Sequence, residues 1–301
     1  MNNSWIDSLL ESLLVRHYSG ATIKSYRSSL DQFGWFLRSK GIKEIQFVTR
    51  EIIKAYALHL VNQGYAVNTQ SVRLKSVYSL FSYLREIRLI EANPCLGLHT
   101  PYAKDRLPKR ILTTKEAVLL LSVPNKRSKM GKRDSAILEL FYSTGIRLAE
   151  MTSLTVDDID LRNGILRINK GKGGKDRILP IGRTALKAIN LYIQKVWLYW
   201  ATHQYQNRLL WLSIRYPHDP LKYAQIEALV KRYAKKAGLS HVTPHVWRHS
   251  CASHLAGNGI NIEFVRQLLG HKSLKTTQIY LRTSIPELKA DHAKHHRRTE
   301  G

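Results

Sequence analysis

From His245 to Tyr280 the chain reads HVWRHSCASHLAGNGINIEFVRQLLGHKSLKTTQIY. Pro244 marks a helix start, so His245, Arg248 and His249 fall on neighbouring turns of one helix. Asn261 opens a second helix that ends at Gly270, directly before His271, and residues 274–281 read as a third helix carrying Tyr280. Imidazole, guanidinium and phenol are the groups that move protons around a phosphodiester, hold it and attack it. No carboxylate cluster or cysteine set accompanies them, so the segment implies neither a metal nor another cofactor. His245 and His249 do lie at i, i+4, but no Cys-x-x-Cys or His-Glu-x-x-His pattern supports a zinc site.

Working outward, the second half mixes helices with a little sheet. Thr114 starts a helix through residues 116–121, and another spans 133–144 and stops at Gly145. Residues 164–168 and 177–181 are short strands, joined by KGKGGKD (170–176), whose glycines permit a tight turn. Further helices are expected over 185–200 and 223–237. The first hundred residues read as four helices instead. Leu9, Leu10, Leu13 and Leu14 recur at helical spacing, and Thr22 precedes a face of Tyr26, Leu30, Phe33, Trp35, Phe36 and Leu37. Thr49 leads into Ile53, Tyr56, Ala57, Leu60 and Val61, and a run from Asn68 to Arg88 carries Val72, Leu74, Val77, Leu80, Phe81 and Leu84. Lys24, Arg27, Lys54, Arg73 and Lys75 are expected on the wet side of this bundle, as a solvated or a DNA-facing surface.

Between the halves, Asn93-Pro94, Gly97, Pro101 and Pro108 break periodicity, and Lys104, Arg106, Lys109 and Arg110 add charge. The expected organisation is a helical domain over 1–98, a linker over 99–112 and a second domain over 113–301. The fold class is mainly α: an N-terminal helical bundle plus a mixed α+β domain with a small antiparallel sheet.

Charge then narrows the partner. Against 22 Asp and Glu stand 48 Lys and Arg, a net +26 with a pI near 10.1. Such a field attracts polyanions, nucleic acid above all. Residues 1–106 hold 14 basic and 8 acidic side chains, which leaves 34 and 14 for residues 107–301. Both halves suit a phosphate backbone, and the second carries most of the field. Cys95 and Cys251 lie far apart in a chain too large to need disulfides, so free thiols in a reducing compartment are expected. No secretory pattern and no apolar run of membrane length stands in the sequence. A cytoplasmic protein without a membrane role is the expectation.

The runs Gly145-Ile-Arg147-Leu-Ala-Glu150, Gly171-Lys172-Gly-Gly-Lys175-Asp-Arg177, His245-x-x-Arg248-His249, Leu269-Gly270-His271 and Tyr280 resemble the successive motifs of the tyrosine recombinases, the phage integrase family. Thr22-x-x-x-Tyr26 with Leu30, Phe33 and Phe36 is similar to that family's helical core-binding domain. The resemblance covers nearly the whole chain, and the lack of insertions looks most like Xer-type and plasmid- or transposon-borne members. Trp247 stands where the family more often has Leu, and residues 209–213 (LLWLS) stand where a Phe-Pro-like segment is common.

The resemblance implies site-specific cutting and rejoining of double-stranded DNA through a 3′-phosphotyrosine. Tyr280 is the implied nucleophile, Arg147 and Arg248 the phosphate clamp, His245 the proton acceptor and His271 a second phosphate-contacting imidazole. Lys172 matches the family's acid for the leaving oxygen, with Lys170 and Lys175 as close competitors. His249 and Glu150 look like supporting residues. It also implies a C-shaped clamp, two protomers per recombination site, four in the synapse, and a second recombinase subunit in some systems. Residues 286–301 are the segment for docking on a neighbouring protomer. Two other readings use the same residues: a catalytically silent accessory factor of the same fold, and nicking-closing activity like that of type IB topoisomerases.

Overall fold

A computed structural model describes residues 4–101, 110–169, 176–201, 208–215 and 219–270. The backbone forms two compact units, residues 1–106 and 107–301.

The first unit holds four helices, α1 (Ser4–Val15), α2 (Gly20–Ser39), α3 (Arg50–Asn62) and α4 (Val67–Glu86). Their apolar stripes meet around Phe33, whose ring packs edge-on against Tyr56 at 4.9 Å and Phe81 at 6.1 Å. Helix α2 begins at Gly20, two residues before Thr22. Ser19 is its cap, its hydroxyl accepting from the Thr22 amide at 3.2 Å. Trp35 is not on the buried stripe but exposed, at 57%. Two residues on from Phe33 is about 200° around a helix, so both cannot face the same core. Val72, two residues before the buried Leu74, is exposed for the same angular reason, and Leu14 and Val61 are exposed as well. Arg73 also departs from expectation. Its guanidinium lies over the Tyr65 ring, 3.7 Å from the centroid, rather than in open solvent.

The second unit is built around α6 (Lys129–Thr144), which packs against α5 (Thr114–Ser122), α8 (Arg183–Tyr192) and α11 (Pro244–Gly257). Between α6 and the sheet lies α7 (Leu148–Ser153) in sequence, followed by strands β1 (Ile159–Asp160), β2 (Ile165–Ile168) and β3 (Arg177–Pro180). The sheet is antiparallel in the order β1-β2-β3, with Leu166 opposite Leu179 and Ile168 opposite Arg177. The turn joining β2 to β3 lies outside the described residues. Helix α8 runs on through a π-helical stretch (Ile193–Trp197) into α9 (Leu198–Ala201). Tyr192 at the end of α8 and Trp197 on this continuation donate to the carbonyls of Leu210 (2.8 Å) and Leu209 (3.0 Å), tying down the segment after α9. Helices α10 (Tyr223–Lys236) and α12 (Ile262–Leu269) are the other helices of the unit among the described residues. The helix expected over 274–281 lies outside the described residues. Among those described, no helix is long and apolar enough to cross a membrane.

Buried polar groups fix α11 on this frame. Trp247 is fully buried, and its indole N–H donates to the Leu138 carbonyl on α6 at 3.1 Å. The Leu112 amide donates to Ser250 Oγ at 2.9 Å, and His254 Nε2 meets the Leu112 carbonyl at 2.7 Å. A carbonyl only accepts, so Nε2 carries the proton and Nδ1 accepts from the Tyr142 hydroxyl at 2.7 Å. Cys251, also buried, is a free thiol that burial pushes up to about 12. Replacing Trp247 by Ala removes a large packed side chain and leaves the Leu138 carbonyl unmade. We expect a stability loss of about 3–5 kcal/mol, read as a lower urea midpoint with unchanged slope.

Candidate active site

The end of α12 gathers the site. A helix C-terminus leaves its last carbonyls without intrahelical partners and carries partial negative charge. Here three consecutive carbonyls each accept from a different arginine. Arg177 Nε donates to Leu268 O at 3.2 Å, Arg248 Nη2 to Leu269 O at 2.6 Å and Arg147 Nη2 to Gly270 O at 2.8 Å. Gly270 takes the left-handed conformation, φ +61°, and a β-carbon there would stand 3.4 Å from both Arg147 Nη1 and the Arg177 guanidinium carbon. A residue without a side chain lets two guanidiniums close on the backbone.

Each arginine comes from a different element. Arg147 is the residue before α7, reached through the left-handed Gly145 that ends α6 (φ +56°). Arg248 projects from α11 and is buried, its Nη1 bonded to the Gly145 carbonyl. The α6 turn and the α12 end are therefore tied together through one side chain. Arg177 opens β3 opposite Ile168, at the base of the hairpin.

Glu150 joins two of the three. Its Oε1 accepts from Arg147 Nη1 at 2.9 Å and Arg177 Nη1 at 3.0 Å. Its Oε2 accepts from the Arg147 amide at 2.8 Å and Arg177 Nη2 at 2.7 Å. Burial pushes this carboxyl up, but the bonds from Arg177 and Arg147 outweigh it and hold it at about 2.

His245 and His249 stand one turn apart on α11 with their Nε2 atoms 2.8 Å apart, one donating to the other. Although His245 is open to solvent at one edge, burial of the ring and then the Arg248 charge lower it from the ordinary imidazole value. Among the described residues no group of three or more His, Cys, Asp or Glu is placed to hold a metal ion.

Of the six expected site residues, Arg147 and Arg248 converge on the α12 end, and His245 lies on the same helix as Arg248. Lys172, His271 and Tyr280 lie outside the described residues, as do Lys170, Lys175 and the tail 286–301. Sequence reasoning passed over Arg177 as more than a motif member. The available signal was its place as the first residue after the glycine-rich turn, beside the paired strand.

Comparison with known proteins completes the picture. The model of the phage integrase family matches residues 110–285, and that of the phage integrase N-terminal SAM-like domain matches residues 5–91. The chain belongs to the phage integrase family. It is 31% identical to tyrosine recombinase XerC of Bacillus subtilis, over 95% of this chain and 93% of that one. Identity to tyrosine recombinase XerD of Vibrio vulnificus is also 31%, over 98% and 95%. In fold it resembles a lambda integrase tetramer bound to a Holliday junction, with a TM-score of 0.70 at 18% identity over 92% of this chain and 76% of that one. The reaction is that of the tyrosine recombinases: site-specific breakage and rejoining of DNA by transesterification through a tyrosine.

Because Glu150 sits below its unfolded value of about 4.3, its network stabilises the fold above that pH and the contribution fades as pH falls towards about 2. Between pH 5 and pH 2 the wild type should lose about 3 kcal/mol more stability than Glu150→Gln. Denaturant unfolding at several pH values measures the difference.

Proposed function

We propose that Arg147 and Arg248 clamp the scissile phosphate, Tyr280 attacks it, His245 takes the phenolic proton and His271 makes a further phosphate contact. Lys172, or a neighbouring lysine of the same turn, protonates the leaving oxygen. In this scheme the Tyr280 oxygen bonds to phosphorus as the P–O5′ bond breaks. The phenolic proton passes to His245, and a lysine proton goes to the departing 5′-oxygen. The product is a 3′-phosphotyrosine that keeps the bond energy, so a 5′-hydroxyl from another strand reseals the backbone by the reverse steps. Guanidiniums suit the clamp because charge accumulates on the non-bridging oxygens during transfer.

The observation that supports this reading is the convergence of Arg147 and Arg248, from separate elements, on the two carbonyls that precede His271. A lowered His245 supports its part, since a neutral imidazole at physiological pH is ready to accept a proton. The family points to double-stranded DNA recombination sites in the cytoplasm as the substrate, with a dimer on each site and a tetramer in the synapse. The oligomer draws support from the lambda integrase tetramer, which shares the fold. On this reading residues 1–98 form the core-binding domain, 99–112 the linker and 113–301 the catalytic domain.

Tyr280→Phe should bind DNA as the wild type does and form no covalent adduct. Incubation with DNA flanking the gene, followed by a denaturing gel and mapping of the adduct positions, tests this and locates the cleavage site. An adduct persisting in the variant refutes the assignment. Single-turnover cleavage should hold its rate as pH falls from 8 to about 6.5 and decline only below that, as His245 takes up a proton. His245→Gln should lose that acid limb together with most of the rate.

A further inference from the structure

Arg147 carries two obligations that conflict. It must offer positive charge to a phosphate, yet it is bonded to a carboxylate within its own turn, Glu150 Oε1 at 2.9 Å. A lone Arg–Glu pair is neutral and attracts an anion weakly. Arg177 removes the conflict. Its planar fork bonds both oxygens of Glu150, at 3.0 and 2.7 Å, the bidentate geometry that guanidinium and carboxylate favour. Two arginines and one glutamate leave the group with a charge of +1 instead of 0.

The two arginines are not equivalent. The Arg177 side chain is 13% exposed and Nε, Nη1 and Nη2 are all engaged with Leu268 O or Glu150. Arg147 is 26% exposed, and its bond to Gly270 O is to a neutral acceptor that a charged phosphate oxygen outcompetes. One arginine is turned inward to satisfy the glutamate, and the other is turned outward.

We infer that Arg177 is a positioning residue for Arg147: by saturating Glu150 it leaves the group a net positive charge and the Arg147 guanidinium free to hold the phosphate. This rests on the assignment of Arg147 to the clamp. Arg177 does not itself touch the substrate, and its effect passes through Glu150.

The test uses full-length protein and a synthetic nicked duplex of the cleavage site mapped above. One version carries the native phosphodiester, and the other an uncharged methylphosphonate at the scissile position. Arg177→Gln should slow adduct formation on the native linkage about 100-fold and on the methylphosphonate no more than about 3-fold, because a neutral linkage needs no cationic clamp. Arg177→Lys, which keeps the charge without the fork, should fall between. In a Glu150→Gln background the carboxylate is gone, so adding Arg177→Gln should change the native rate by less than about 3-fold. Equal loss on both linkages, or a large loss in the Glu150→Gln background, overturns the inference. The latter comparison decides the matter even where Arg177→Gln alone does not fold. Arg147→Ala serves as the reference. If its defect is not relieved by the methylphosphonate, the clamp assignment fails, independently of Arg177.

Discussion

The arginine-capped end of α12 is the interaction on which the second unit depends. Three carbonyls, of Leu268, Leu269 and Gly270, hold guanidiniums from β3, α11 and the start of α7. Because each arginine is rooted in a different element, the helix end fixes the sheet, the α6–α7 turn and the histidine-bearing helix relative to one another. The same bonds fix the position of Gly270. Structural anchoring and the presentation of cationic groups are here one set of contacts. A change at any one of them therefore acts on the fold and, on the proposed reading, on the chemistry as well.

Two buried carboxylates are satisfied by similar networks. Asp134 on α6 accepts from Arg133 Nε (2.9 Å) and Nη2 (2.7 Å) on one oxygen, and from Arg232 (2.8 Å) and Tyr233 (2.9 Å) on the other. Arg133 is itself buried and spends Nη1 on the Leu212 carbonyl. That network holds α10 and the segment after α9 against α6, with the Arg232 side chain 46% exposed. Glu150 likewise accepts four bonds, and one of its arginines is likewise partly open to solvent. Exposure of one arginine therefore does not distinguish the two networks; the Glu150 network differs in being attached to the end of α12, through the Leu268 and Gly270 carbonyls.

Most of this architecture was legible in the chain because it follows from periodicity and punctuation. The four N-terminal helices, the β2–β3 pair and the stops at Gly145 and Gly270 rest on 3.6- and 2-residue spacing and on glycine's access to positive φ. Contacts that depend on tertiary placement were not legible. Trp35 reads as apolar core but sits about 200° from Phe33, and Arg73 reads as surface but lies over Tyr65. The tie of Leu112 to His254 and Ser250 joins residues about 140 positions apart, beyond any local pattern. The same holds for Arg177. Motif order names it, but only the fold shows that it shares a carboxylate with Arg147. Lys172, His271 and Tyr280 rest on their motifs alone.

Assembling several cations in one place has a physical cost that the fold must meet before any DNA arrives. Two like charges about 5 Å apart at an effective dielectric constant of about 20 repel by roughly 3 kcal/mol. Glu150 offsets part of that repulsion, and the negative end of α12 offsets more. Neither is a mobile counterion that must be expelled when a phosphate binds. Backbone carbonyls stay in place, so an arginine that turns to a phosphate oxygen exchanges a neutral acceptor for a charged one within the same small volume. The reorganisation is largely completed during folding, which is the condition under which fixed donors stabilise developing charge most effectively. On the proposed reading, the readiness of these arginines for an anion is a property of the folded chain.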